Sequence, residues 1–146
     1  NYLWVTLNDA IDFTNRRVLD YFGGQGHLSV LSRIEGASQV LNMEPVPELR
    51  EAGRALATAF GVSDITFEEP DPTKAISFHA DILILLSSRI RSAGKILEEI
   101  SVDQAPGVVA AFDGRGVNQE LCDLGYTIDA DFSCRLGRRK VLCARR

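Results

Sequence analysis

Between Arg17 and Ser29 the chain reads Arg-Val-Leu-Asp-Tyr-Phe-Gly-Gly-Gln-Gly-His-Leu-Ser. An apolar run closes on an acidic residue, crosses a glycine cluster and opens into an amphipathic segment. That order predicts a buried strand, a tight turn and the first turn of a helix. Gly23, Gly24 and Gly26 carry no Cβ, so the turn is free to take positive φ and a ligand can lie against bare backbone. The N–H groups at the start of the following helix have no partner within the helix and point at whatever binds there. The segment is therefore read as a loop suited to a nucleotide-type ligand.

The rest of the sequence repeats the strand–helix alternation. Leu3, Leu7, Ala10 and Ile11 lie at helical spacing and predict a leading helix over Tyr2–Phe13. Leu28, Leu31 and Ile34 mark a helix face that stops at Gly36. Gln39–Met43 is a second apolar strand ending at Glu44, and Pro45 and Pro47 punctuate the start of the next helix. Leu49, Ala52, Leu56 and Phe60 form its stripe, with Gly61 as its stop. Asp64–Phe67 predicts a third strand, followed by a loop from Glu68. Asp81–Leu86 is the most hydrophobic strand and is placed centrally. A helix carrying Ile90, Ala93, Leu97 and Ile100, a strand over Val108–Phe112 and a short helix with Leu121 and Leu124 follow. Tyr126–Cys134 and Lys140–Ala144 alternate like an antiparallel pair joined across Leu136-Gly137. The fold class expected is α/β, a doubly wound, mostly parallel seven-stranded sheet closed by an antiparallel hairpin.

A length of 146 residues fits one domain. The longest apolar run, Ile82–Leu86, is far too short to span a bilayer, and no signal-peptide pattern is present. Three cysteines without metal-type spacing predict buried free thiols in a reducing cytoplasm and no metal site. A net charge of −4 gives no global reason to expect nucleic acid. The chain opens on Asn1 rather than Met, which is compatible with a domain of a longer parent.

This arrangement resembles the class I S-adenosylmethionine-dependent methyltransferase family, over nearly the whole span from Arg17 to Arg146. Val18-Leu19-Asp20 with Gly24 and Gly26 is similar to the family's glycine-rich cofactor motif. Glu44 sits where the family places an acidic residue on the ribose hydroxyls, and Pro45 to Leu49 looks like its usual start to the next helix. Ile65 to Asp71 resembles the stretch ending in an acidic residue beside the adenine. Gly125-Tyr126 and Val141 to Arg146 resemble the family's chain end. The resemblance implies S-adenosylmethionine as cofactor, held by Asp20, Phe22, Gly23, Gly24, Gly26, Glu44, Pro45, Asp71 and Ser87. Asp20 would face the cationic amino and sulfonium end of the cofactor, and Glu44 would accept two hydrogen bonds from vicinal hydroxyls. Phe22 departs from the pattern by replacing the family's first glycine, so the turn is made differently there or the pocket is narrower. Asp71 is flanked by Pro70 and Pro72 instead of the usual glycine and alanine.

Methyl transfer from a sulfonium needs mainly positioning and exclusion of water, with a base only where the acceptor must lose a proton. Acceptor residues are expected after the fourth strand, where the chain reads Leu86-Ser87-Ser88-Arg89-Ile90-Arg91. It has neither the Asn/Asp-Pro-Pro-aromatic sequence of exocyclic-amine methylation nor a Pro-Cys pair for attack on cytosine. The acceptor is therefore read as a small molecule or a protein, with nucleic acid an unlikely partner and no membrane involved. Arg89 and Arg91 are candidates for an anionic substrate, and Asp113 at the end of the fifth strand is a third. His27 and His79 are the default bases by pKa, but no catalytic residue is assigned.

Three alternatives stand beside this reading. Gly24-x-Gly26-x-x-Ser29 with Glu44 also fits a dinucleotide fingerprint, although Asp20 and the terminal hairpin favour the methyl donor. A degenerate domain acting as a structural or interaction module is the second, motivated by Phe22 and by the lean substrate side. An active enzyme would then need another domain or a dimer mate to complete its substrate wall. Arg135, Arg138, Arg139, Lys140, Arg145 and Arg146 are read as a solvated face that discourages edge pairing, an RNA or acidic-partner patch being the third alternative.

Overall fold

The computed structural model describes residues 2–101, 104–114, 116–132, 134–136 and 138–146. Helix α1 (Tyr2–Ala10) precedes β1 (Arg17–Tyr21), α2 (His27–Ile34), β2 (Gln39–Met43), α3 (Pro47–Ala59) and β3 (Ile65–Glu68). There follow α4 (Pro72–Phe78), β4 (Ile82–Leu85), α5 (Ala93–Ile100), β5 (Val108–Phe112) and α6 (Val117–Asp123). The chain closes with β6 (Thr127–Ile128), β7 (Cys134–Leu136) and β8 (Arg139–Arg145).

The strands form one sheet in the order β3-β2-β1-β4-β5-β8-β6, with β7 paired to β8. Strands β1 to β5 are parallel, and β8 joins antiparallel to β5. Because β1 lies between β2 and β4, the chain reverses direction across the sheet there. Such a switch point opens a crevice beyond the carboxyl ends of the strands.

Alternation along the strands gives each face of the sheet its own core. Leu19, Met43, Leu83, Leu85 and Ala111 pack under Ala75 of α4, Leu97 of α5 and Leu121 of α6. On the opposite face Val18, Val40, Ile82, Ile84 and Cys143 pack against Trp4, Leu7, Ile11 and Phe13 of the leading segment. Trp4 stacks on Phe13 with ring centroids 5.1 Å apart. Burial on both faces explains why Ile82–Leu85 reads as an unbroken apolar run rather than an alternating one.

Four features depart from the expectation. The segment after Glu68 is not all loop. Asp71 caps α4 by accepting from the Thr73 N–H at 2.9 Å, and Pro72 takes the first helical position, where its missing N–H costs nothing. Helix α5 starts at Ala93, capped by Ser92, so Ile90 belongs to the loop before it. Among the described residues the sheet holds eight strands rather than seven. The strand expected over Tyr126–Cys134 breaks because Asp129 turns the chain, its carboxylate and carbonyl accepting from Asp131 and Phe132. That leaves β6 on the outer side of β8 and β7 in a separate hairpin with it. Gly137, expected at the hairpin joint, lies outside the described residues. Cys134 and Cys143 are buried free thiols as expected, but Cys122 is exposed on α6.

Candidate cofactor site

β1 ends at the switch point, and its Asp20 is 2% exposed. Asp20 lies in register with Asn42 of β2 and beneath Ser29 of α2. The Ser29 hydroxyl donates to Asp20 Oδ2 at 2.7 Å, and Asn42 Nδ2 donates to Ser29 Oγ at 3.0 Å. Burial pushes the Asp20 carboxyl up to about 6. The Ser29 hydrogen bond opposes that rise, and the neighbouring Glu44 charge adds to it. A buried carboxylate with a raised pKa, set at the end of a central strand, is poised to take a cationic partner.

The chain then turns sharply. Phe22 adopts φ 56°, a left-handed conformation that costs a non-glycine residue about 1 kcal/mol. Its N–H donates to the Met43 carbonyl at 2.6 Å, and its ring packs beside Tyr21. Thus the turn keeps the shape a glycine would give and carries the strain instead. A Cβ on Gly23 would fall 2.5 Å from Asp20 Oδ2 and 2.3 Å from Asn42 Nδ2, so this position must be glycine. Gly24 sits at φ 58° with nothing within 4 Å of where its Cβ would be, leaving open space beside the backbone. Gly26 precedes α2 at φ 75° and supplies no side-chain cap.

Glu44 follows β2 and its side chain is fully buried. Its Oε2 accepts from the Gly24 N–H at 2.9 Å and its Oε1 from the Val46 N–H at 3.0 Å. Arg89 approaches as a fork, Nη1 to Oε1 at 2.8 Å and Nη2 to Oε2 at 2.5 Å, with its guanidinium 5.2 Å from the Phe22 ring centre. Burial alone would raise the Glu44 carboxyl. The bonds from Arg89, Val46 and Gly24 outweigh it and hold the group below its ordinary value. Each carboxylate oxygen thus already takes two donors, and Arg89 is the partner that must give way for a diol to be accepted.

The remaining expected residues divide between the two sides of the cleft. Pro45 is exposed beside Glu44, with its carbonyl accepting from Arg50. Asp71 stands just beyond β3, its Oδ1 given to the N-terminus of α4. Ser87 and Arg91 line a cavity of about 100 Å³ beyond β4 and β5, together with Phe112 and Arg139. Asp113 lies 3.8 Å from Lys140 Nζ. Arg89, expected at the substrate, is instead on Glu44. His27 is exposed at the start of α2, whereas His79 ends α4 before β4, at the opposite edge of the sheet. Asn42 is not among the expected residues, although a polar residue inside the apolar run Gln39–Met43 is a legible signal, and Ser29 entered only as the last position of the dinucleotide fingerprint. Asn42 Oδ1 is buried with no hydrogen-bond partner among the described residues.

No family model matches the sequence, and no curated protein matches it. The fold, in contrast, is shared widely among solved structures. A ribosomal protein L11 methylase from Lactobacillus delbrueckii subsp. bulgaricus superposes with a TM-score of 0.78 at 20% identity, over 99% of this chain and 76% of its own. An S-adenosylmethionine-dependent methyltransferase from Mesorhizobium loti gives 0.72 at 14% identity, over 100% of this chain and 98% of its own. A candidate tRNA (m1A22) methyltransferase from Streptococcus pneumoniae gives 0.75 at 14% identity, over 97% and 68%. The last similarity corrects the expectation that nucleic acid is an unlikely partner, because this architecture also serves an enzyme described as acting on tRNA. No helix among the described residues is long and apolar enough to cross a membrane. Superposition on these neighbours over 97–100% of its length gives the conclusion about architecture: the chain has the class I S-adenosylmethionine-dependent methyltransferase fold.

Proposed function

We propose that the cleft at the switch point binds S-adenosylmethionine and that the protein transfers its methyl group to an acceptor held beyond β4 and β5. The observation that carries this reading is the pair of buried carboxylates, Asp20 and Glu44, ending adjacent strands on either side of the Gly23–Gly26 turn. Asp20 would hold the cationic amino end, and Glu44 the ribose hydroxyls. Phe22, Gly23, Gly24 and Gly26 shape the backbone between them, Pro45 and Asp71 stand on the adenine side, and Ser87 borders the methyl end. The residues fit the group: they offer a raised-pKa acid for a cation, a carboxylate for a diol and open space at Gly24. When bound, the cofactor supplies an already activated methyl group, so the protein's part is to position the acceptor and exclude water. Arg91 and Asp113 are the side chains proposed for the acceptor side. Residues 1–146 are proposed as one cofactor-binding domain, α1 forming its leading helix.

One observation favours a second reading. Arg89 satisfies Glu44 from within the chain, as it would in a non-catalytic module that has given up its ligand. Calorimetric titration with S-adenosylmethionine, S-adenosylhomocysteine and NAD separates the two. Micromolar binding of the first two, weakened by Glu44→Ala, is expected. Silence from all three by both the wild type and Arg89→Ala, with a cooperative melt, would assign the chain to the module.

A further inference from the structure

We propose that the β7–β8 hairpin is an RNA-docking ribbon that delivers the methyl acceptor to the mouth of the cleft. The inference names the acceptor class for the site above and so rests on that reading. Its starting point is topology. β8 runs antiparallel to β5 with Val141 opposite Phe112, the last residue of β5. Arg139 and Lys140 therefore lie past the carboxyl end of β5, at the edge of the sheet where β1 and β2 end near Asp20 and Glu44. β7 adds a second rail, with Arg135 opposite Lys140 and Leu136 opposite Arg139. Like charges directly opposite one another weaken a strand pair, and a bound polyanion would turn that cost into attraction.

Side-chain chemistry supports a phosphate backbone. The Arg139 guanidinium lies 4.0 Å over the Phe112 ring, which fixes it at the cavity it lines with Arg91. None of the described residues lining that cavity is acidic. Lys140 has Asp113 at 3.8 Å, whereas Arg91, Arg135 and Arg138 have no ion-pair partner among the described residues. Exposed arginines spread along a two-stranded ribbon match the repeating charge of a nucleic-acid strand, and Leu136, exposed between them, offers an apolar contact for a base or sugar. This clustering occurs on a chain of net charge −4, so it is a local feature rather than a general basicity.

The test is fluorescence anisotropy of a labelled RNA stem-loop titrated with the full chain at several salt concentrations. The comparison variants are Arg138→Gln/Arg139→Gln/Lys140→Gln and, as a control, Arg16→Gln/Arg146→Gln at the opposite edge of the sheet. The triple variant is expected to bind at least about tenfold more weakly at low salt and to lower the log–log salt slope by about 2. The control should keep the wild-type slope, and all three proteins should melt cooperatively and share one affinity for S-adenosylhomocysteine. Equal loss in the control, or poly-glutamate competing as well as unlabelled RNA, would overturn the assignment to RNA. Absence of RNA binding by a wild type that still binds S-adenosylhomocysteine would also overturn it and leave the cofactor reading standing. RNA binding that depends on the hairpin in a protein silent to S-adenosylhomocysteine would remove the cofactor reading and overturn the delivery of a methyl acceptor, leaving the hairpin as an RNA contact alone.

Discussion

Replacing Asp20 with asparagine should make the protein more stable at neutral pH and less able to bind its ligand. Asp20 is buried with a carboxyl raised from 3.8 to about 6, burial being the main cause. A carboxyl whose folded pKa lies above its unfolded value binds its proton more tightly when folded. Its contribution is therefore fully present below about pH 4 and lost as pH rises through about 6. At about 1.4 kcal/mol per unit, that rise corresponds to about 3 kcal/mol lost by the wild type between those limits. Asparagine cannot ionise and escapes the loss. It keeps an oxygen for the Ser29 hydroxyl, which now donates to Asp20 Oδ2 at 2.7 Å and shares that oxygen with Asn42 Nδ2 at 3.5 Å. Burying the new amide costs about 1 kcal/mol at every pH, so a net stabilisation of about 2 kcal/mol near pH 7.5 is expected, crossing zero in mild acid and becoming a destabilisation of up to about 1 kcal/mol below pH 4. Urea unfolding of both proteins across that range measures the difference directly, and a melting temperature higher by about 4–8 °C at neutral pH should accompany it. The reasoning fails if the variant is less stable at pH 7.5, or if the difference between the two proteins does not change with pH. Affinity for S-adenosylhomocysteine should fall in the same variant, since the charge that costs stability is the one proposed to hold the ligand.

The neighbouring acid predicts the opposite pH dependence. Glu44 is held below its ordinary value, so its stabilisation is present above the unfolded pKa and lost as pH falls through the folded one. Arg89→Ala removes the fork but leaves the Gly24 and Val46 N–H bonds. With the arginine side chain 39% exposed, a loss of about 1–2 kcal/mol at pH 7 is expected by urea unfolding, shrinking in acid. The same variant should bind S-adenosylhomocysteine more tightly by calorimetry, because the diol no longer competes with a guanidinium. Unchanged affinity would show that Arg89 does not block the carboxylate. Gly53→Ala should lower the melting temperature despite alanine's better helix propensity, since its Cβ would fall 2.3 Å from Phe67 Cε1 and force the ring to move. Phe22→Gly should cost less stability than Phe22→Val in a thermal melt, because glycine relieves the positive φ while a β-branched residue aggravates it.

Much of this molecule was written in local pattern. Strands β2 and β5 lie at the predicted residues because apolar runs bounded by turn residues have few other ways to satisfy their backbone. The glycine turn and the acid before it were legible for the same reason: positive φ at Gly24 and Gly26 is a property of the backbone itself. Pairings between distant residues were not legible. Nothing in the sequence near Arg89 indicates that it reaches Glu44, 45 positions away, since that fork exists only once β4 lies beside β1 and brings the following loop across the end of β2. The break between β6 and β7 is set locally, by the Asp129 carboxylate and carbonyl accepting from Asp131 and Phe132, whereas their separate places along β8 are set by the sheet. Sequence alone determined the element order and the chemical character of the turn, because both follow from local backbone preference and side-chain period. Only the folded sheet decided which charges meet, because long-range packing sets the positions of Asp20, Glu44, Arg89 and the basic hairpin along one edge.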